Sequence, residues 1–284
     1  MNSKLIITLA VTLAAVILVC LVIQVLAANK TLGLSTYVVS GDEIPTAFDG
    51  FRIAQVSDFH NSDMGDSVLE MLAEAKPDII VITGDLIDSR NTDMGVALDF
   101  AREAVKIAPC YFVAGNHESR IAEYADLVQG LTELGVTVLE GESIEIESGT
   151  DKITLVGVSD PTFVEESFSA DYEGIMREKL GELDFDNGYT VLLSHRPELI
   201  EAYSEVGADL VFSGHAHGGQ FRLPVIGGLF APDQGFFPKY DAGVVTFCNT
   251  TMVISRGIGK SIIPIRINNN PELVLAELRI GSGS

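Results

Sequence analysis

The most regular pattern in this chain is a short, wholly apolar run that stops abruptly at a polar residue able to do chemistry. Asp78-Ile79-Ile80-Val81-Ile82-Thr83-Gly84-Asp85 is the clearest case. Neither alternate set of its residues is polar, so it reads as a strand buried on both faces that delivers Asp85 to its C-terminal end. Four other segments repeat the design. Residues 52–57 lead to Asp58 and His60, residues 110–115 to Asn116 and His117, residues 190–194 to His195, and residues 209–214 to His215 and His217. All five histidines of the chain follow directly on such runs. Helical apolar spacing predicts helices over 68–75, ended by Pro77, over 96–107, ended by Pro109, over 121–134, ended by Gly135, and around 172–180. Further strands are predicted at 137–139, 143–147, 152–158, 244–248, 252–255 and 273–279. Strand alternating with helix predicts an α/β fold.

The N-terminal pattern is different. Residues 5–28 carry no charge, with Thr8, Thr12 and Gln24 as the polar interruptions. At about 1.5 Å per residue such a helix crosses a hydrocarbon core of roughly 30 Å. A cleavable signal peptide has an apolar region of about 7–15 residues, so an uncleaved anchor is expected, with cleavage after Val25-Leu26-Ala27 as the alternative. Lys4 precedes the span and Lys30 follows it, and the N-terminal amine tips the balance towards the N-terminus inside. This places a single-pass protein in the cell membrane with its domain extracytoplasmic. Residues 29–50 read as a polar connector containing one β-like piece, Thr36-Tyr37-Val38-Val39-Ser40. Residues 51–280 form one domain, and 281–284 a flexible tail.

Composition adds three points. The 284 residues are 47% hydrophobic, enough for an anchor and one substantial core. The net charge of −22, from 40 acidic and 18 basic residues, repels polyanions and argues against duplex nucleic acid as a partner. Cys20, Cys110 and Cys248 show no CxxC spacing, so no structural zinc site is signalled. Buried free thiols are expected at 110 and 248, with a bridge between them as the alternative.

In an extended strand, residues i and i+2 share a face. If that geometry lasts through the turns, Asp58 with His60 and His215 with His217 each project into one space. With Asp85, Asn116 and His195 they make seven oxygen and nitrogen donors, too many for one tetrahedral zinc and suited to two metals with a shared ligand.

The motifs Asp58-Phe59-His60, Gly84-Asp85-Leu86-Ile87-Asp88, Gly115-Asn116-His117-Glu118, the lone His195 and Gly214-His215-Ala216-His217 occur in this order. The arrangement resembles the calcineurin-like metallophosphoesterases. Gly218-Gly219-Gln220, Phe230-Ala231-Pro232-Asp233-Gln234-Gly235 and Ser255-Arg256-Gly257 resemble the membrane-linked bacterial branch. The resemblance implies two facing sheets flanked by helices. It also implies a dinuclear centre of divalent cations (Mn, Fe, Zn or Co) that activates water to hydrolyse a phosphate ester, leaning towards diesters or pyrophosphates. Asp58, His60 and His217 would hold one metal, Asn116, His195 and His215 the second, and Asp85 would bridge them. His117 would steady the phosphate or protonate the leaving oxygen, with Asp88 fixing its tautomer.

Many relatives carry Arg where Ser89 stands here, with Arg90 one place later, so Arg196 becomes the candidate phosphate contact. Glu118 is equally a helix-start carboxylate or part of the site. The loop over 218–243 is rich in Gly, Pro and aromatic residues. It is expected to fold back as core, the alternative being an apolar lip for a lipid-linked phosphate. The competing functions are a phosphomonoesterase and a metal-loaded sensor without turnover. A metallohydrolase of amides or thioesters lacks its His-x-His-x-Asp-His run here.

Overall fold

The computed structural model describes residues 3–167, 169–185, 188–260 and 265–281; of the expected tail, residues 282–284 lie outside them. Ser3–Ala28 forms one helix, α1. Its Ile6–Ala28 portion is 23 residues long, long and apolar enough to cross a membrane, and no described side chain in its most apolar stretch is buried against the rest of the protein. Uncovered aliphatic side chains along the whole of a helix have no partner in water.

The elements that follow are β1 (Gly33–Gly41), β2 (Arg52–Val56), α2 (Gly65–Ala75), β3 (Ile79–Thr83), α3 (Met94–Ala104), β4 (Cys110–Val113), α4 (Tyr124–Glu133), β5 (Thr137–Val138), β6 (Glu142–Ser148), β7 (Asp151–Gly157), α5 (Tyr172–Gly181), β8 (Thr190–Leu193), α6 (Ile200–Glu205) and β9 (Leu210–Ser213). Two small hairpins come next, β10 (Arg222–Leu223) with β11 (Gly227–Gly228) and β12 (Phe230–Ala231) with β13 (Gly235–Phe236). The last strands are β14 (Gly243–Phe247), β15 (Thr250–Ile254) and β16 (Glu272–Ile280).

Two six-stranded sheets result, ordered β1-β16-β2-β3-β4-β5 and β14-β15-β9-β8-β7-β6. They pack face to face. Ile79 and Val81 of β3 meet Val191 and Leu193 of β8 and Leu210 and Phe212 of β9 in the layer between them. Ile80 and Ile82 point the other way, into a core shared with Leu72 of α2, Phe100 of α3 and Leu127 of α4. Leu192 and Val211 do the same on the second sheet, beneath Met176 of α5 and Tyr203 of α6. The uninterrupted apolar runs thus have a physical cause: both faces of each central strand lie under another layer. Each buried Ile, Val or Leu contributes about 1.5–3 kcal/mol.

Where the apolar pattern ends, local chemistry ends the element. Lys76 closes α2 in the left-handed region, φ 49°, because Pro77 disfavours a further helical residue before it. Asp93 caps α3 by accepting from the N–H groups of Gly95 and Val96 at 3.0 and 3.4 Å.

Four expectations change. Residues 29–50 are not merely a connector, since β1 forms the edge of the first sheet, parallel to β16 over nine residue pairs. Cys110 is buried as expected but Cys248 is exposed, and both are free, so no bridge joins them. The 218–243 segment does not fold back as core. Its hairpins hold Val225, Ile226, Phe230, Phe236 and Phe237 out to solvent. The extended geometry does not last through the ligand turns either, as described next.

Candidate metal centre

β2, β3 and β4 run parallel in one sheet, as do β8 and β9 in the other. Their C-terminal ends meet along one edge of the sandwich. The two sheets are sewn together there: the Gln55 amide donates to the Ser213 carbonyl at 2.8 Å, and His195 Nδ1–H donates to the Thr83 carbonyl at 2.7 Å.

Beyond the last strand residue each chain segment turns sharply. Asp58 and His60 lie at φ 49° and 47°, Asp85 at 52°, and His215 and His217 at 63° and 47°. Strand alternation therefore does not pair these side chains; left-handed turns do. Such a conformation costs about 1–3 kcal/mol per non-glycine residue. Cross-links between the turns hold it. The N–H groups of Asp58, His60 and Asn61 donate to the carbonyls of Gly84, Asp85 and Leu86 at 3.1, 2.9 and 3.2 Å. Gly84, at φ 86°, is pressed so close to Gly115 and His195 that a Cβ would overlap both.

Six of the seven expected donors converge in two groups, and the seventh, Asn116, is buried. The ligand atoms of Asp58, His60 and His217 lie within 4.8 Å of one another, and so do those of Asp85, His195 and His215. Asp85 Oδ2 lies 3.6 Å from His60 Nε2 and 3.3 Å from His195 Nε2, between the two groups. His60 Nε2 and His217 Nε2 face each other at 3.2 Å. The rings are oriented from behind. His195 Nδ1–H is committed to Thr83, and the His215 Nε2 edge meets the Asp233 carboxylate at 3.0 Å, each leaving the other nitrogen for the centre. Asp58 accepts from Ser57 Oγ at 2.7 Å and from the His215 N–H at 3.1 Å.

Two buried atoms, His195 Nε2 and Asn116 Oδ1, have no hydrogen-bond partner. They are two of seven such buried side-chain atoms among the described residues, and His195 Nε2 lies 3.3 Å from Asp85 Oδ2. The charges agree. Burial opposes ionisation of Asp85, yet His195, His60 and His117 together hold it well below the usual carboxylate range. Burial likewise opposes a charge on His195, but Asp85, Asp58 and Asp160 raise it to about 10. The carboxylates call for positive charge, and the donor set of carboxylate, amide oxygen and imidazole suits divalent metals.

Two expected roles are corrected. Arg196 does not present itself to a phosphate. Its buried guanidinium donates to Asp160 at 2.8 Å and Asp233 at 2.5 Å, reaches Glu198 at 3.4 Å, and stacks on the Tyr172 ring at 4.3 Å. Three carboxylates saturate it, so it is a strut. Asp88 does not set the His117 tautomer. Its carboxylate is taken by Arg90 Nε and Nη2 at 2.9 and 2.7 Å, leaving it 3.5 Å from His117 Nδ1. The Ser89 N–H donates to that nitrogen instead, at 3.0 Å. Burial, with His60 and Arg120 adding to it, lowers His117 to about 4, although Asp85 and Asp88 oppose the shift.

Sequence reasoning missed or undervalued three residues. Glu118 is completely buried and receives the N–H groups of Asp85, Ile87 and Gly115 at 2.9, 3.1 and 2.8 Å. Asp160 anchors Arg196, and Asp233 ties the hairpin segment to His215. Asp160 was discoverable, because Ile153-Thr154-Leu155-Val156-Gly157-Val158-Ser159-Asp160 repeats the strand-to-carboxylate pattern.

Residues 51–219 match the model of the calcineurin-like phosphoesterase family. The chain is 29% identical over 252 residues to the uncharacterized metallophosphoesterase YkuE of Bacillus subtilis, covering 86% of this chain and 84% of that one. It is 27% identical over 236 residues to phosphodiesterase YaeI of Escherichia coli, covering 80% and 82%. It is 29% identical over 246 residues to a transmembrane protein with metallophosphoesterase domain of Danio rerio, covering 82% of this chain and 54% of that protein. Among solved structures, TT1561 of Thermus thermophilus shares the fold with a TM-score of 0.50 at 12% identity, over 72% of this chain and 88% of that one.

Proposed function

The chain belongs to the calcineurin-like phosphoesterase family, and from that premise we propose that it is a membrane-anchored hydrolase that cleaves phosphodiesters at a centre of two divalent cations. Asp58, His60 and His217 would hold one cation and Asn116, His195 and His215 the other, with Asp85 shared between the two groups. When bound, such a pair supplies water acidic enough to attack at neutral pH and positive charge for the attacking and leaving oxygens. Mn, Fe, Zn and Co all suit these ligands. The observation that carries the reading is the convergence of two buried ligand groups, Asp58 with His60 and His217 and Asp85 with His195 and His215, with Asp85 Oδ2 lying 3.6 Å from His60 Nε2 and 3.3 Å from His195 Nε2.

The protein's own side chains do the rest. The Ser89 N–H on Nδ1 keeps the His117 proton on Nε2, which points into the centre 4.0 Å from Asp85 Oδ2. Charging the ring would break that bond and bury a cation, so His117 acts as a neutral donor that steadies a phosphoryl oxygen. Asp88 and Arg90 brace the turn that carries Ser89. The diester preference is supported by YaeI, which is named a phosphodiesterase. The anchor is α1, with the domain on the extracytoplasmic side.

The test is a release assay on bis(4-nitrophenyl) phosphate, 4-nitrophenyl phosphate and pyrophosphate, with metal measured on the same sample. Diester turnover should follow metal content, and Asp85→Ala should abolish both. Two equivalents of metal with no turnover of any substrate would overturn hydrolysis in favour of a sensor. An active, fully metallated Asp85→Ala would overturn the bridge.

A further inference from the structure

The end of α1 is fixed to the rim of the centre. Asn29, the residue after the helix, accepts from the Arg266 N–H at 2.7 Å and donates to the Arg266 carbonyl at 2.7 Å. The Arg266 side chain reaches His217 Nδ1 at 3.3 Å. One residue thus spans from the membrane helix to a proposed metal ligand. From there the same surface continues outward. The Arg222 N–H donates to the Ile267 carbonyl at 2.9 Å, and Gln220 donates to the Ile265 carbonyl at 2.9 Å. Ile265 and Ile267 are both exposed, and so are Val225, Phe230, Phe236 and Phe237 on the hairpins beyond. Phe230 and Phe236 pack edge to face at 5.4 Å, holding each other outward as a wedge of two rings.

Charge is arranged to match. Over residues 218–243 the charged side chains are Arg222, Asp233, Lys239 and Asp241, which cancel, whereas the whole chain carries −22. An apolar, aromatic, charge-neutral surface continuous with the foot of a membrane-spanning helix is the composition of an interfacial contact.

We propose that the β10–β13 hairpins seat in the headgroup–acyl boundary of the same bilayer that α1 crosses. The centre then opens at headgroup depth, and its substrate is a phosphate ester carried by a membrane amphiphile rather than a soluble nucleotide. The substrate half rests on the phosphoesterase reading. The docking half does not.

The chain contains no tryptophan, so Phe236→Trp gives a single reporter. The full-length variant is reconstituted into vesicles of phosphatidylcholine and phosphatidylglycerol, with or without brominated acyl chains. Emission at 236 should be quenched by brominated lipid. A Thr150→Trp control, in the exposed β6–β7 turn at the far end of the sandwich, should not be. Equal response at both positions overturns the docking.

For the substrate, Phe236→Asp with Phe237→Asp should lower the ratio of vesicle-borne to soluble diester turnover by at least about tenfold, since two aromatic side chains lost from an apolar contact amount to more than one factor of ten. An unchanged ratio overturns the amphiphile. Quenching at 236 with no turnover of any phosphate ester upholds the docking and overturns the phosphoesterase reading.

Discussion

Glu118→Gln is the sharpest test of how the centre is held. One carboxylate oxygen, Oε2, accepts from the N–H groups of Asp85 and Gly115, and the other, Oε1, from that of Ile87. Those three donors lie in the two turns that carry Asp85 and Asn116. Glutamine has the same shape but one acceptor oxygen. If that oxygen keeps Asp85 and Gly115, its NH2 meets the Ile87 N–H donor to donor, with Glu118 wholly buried and no water to intervene. Burial, with Asp85 beside it, pushes the Glu118 carboxyl up to about 7, so the comparison is made at pH 8 and above, where the carboxylate is charged. There one orphaned N–H costs about 1–3 kcal/mol, and two charge-assisted bonds weaken to neutral ones, so roughly 2–4 kcal/mol is lost. At about 2–4 °C per kcal/mol for a domain of this size, Tm should fall by about 4–16 °C. Differential scanning calorimetry of the metal-loaded protein measures it, and bound metal should fall with it because the Asp85 turn is no longer fixed. An ordinary helix-start carboxylate would lose about 0.5 kcal/mol. A Tm within 1–2 °C of wild type with full metal content would therefore refute the reasoning.

Three further outcomes are expected. His117→Ala should keep both metals and lose about 10²–10³ in kcat, since the ring donates to the phosphoryl group without ligating, as metal analysis beside steady-state rates would show. Gly214→Ala should unfold at lower temperature and bind metal weakly, because its Cβ would overlap Ser57 Oγ and Asp58 Oδ2. The expected loss is about 1–3 kcal/mol, read by thermal melts. Cys110 should resist a thiol reagent at pH 8 until the protein is denatured, because burial pushes its thiol up to about 12 and the reactive thiolate is absent well below that pH, while exposed Cys248 reacts at once. Mass mapping of the labelled cysteines distinguishes them.

The strands were legible because β3, β8 and β9 are covered on both faces, which leaves an apolar run with no polar alternation. The candidate donors stood out in the sequence because each such run leads into Asp, Asn or His. What the pattern could not carry was the path between them. The left-handed turns at Asp58, His60, His215 and His217 occur at residue types that enter that conformation more readily than most but still only occasionally, so the sequence alone does not mark them. Arg196 misled because an arginine beside a ligand histidine looks like an anion clamp. Its partners Asp160 and Asp233 lie 36 and 37 residues away and reach it through folding alone. The hairpin aromatics misled in the opposite sense. Apolar content predicted burial in protein, but the short β10–β13 hairpins hold Phe230, Phe236 and Phe237 exposed.

The position of β16 bears on how the molecule is made. This strand lies between β1 and β2, although nearly the whole domain is synthesised before it. Until residues 272–280 have left the ribosome, β1 has no neighbour and β2 presents an open backbone edge in the middle of the first layer. The domain therefore closes from its end backwards, like a zip whose slider is fitted last. A nascent chain arrested at residue 270 would show two bare edges prone to pairing with other chains. That interval ends only when β16 slots between β1 and β2 and covers both edges.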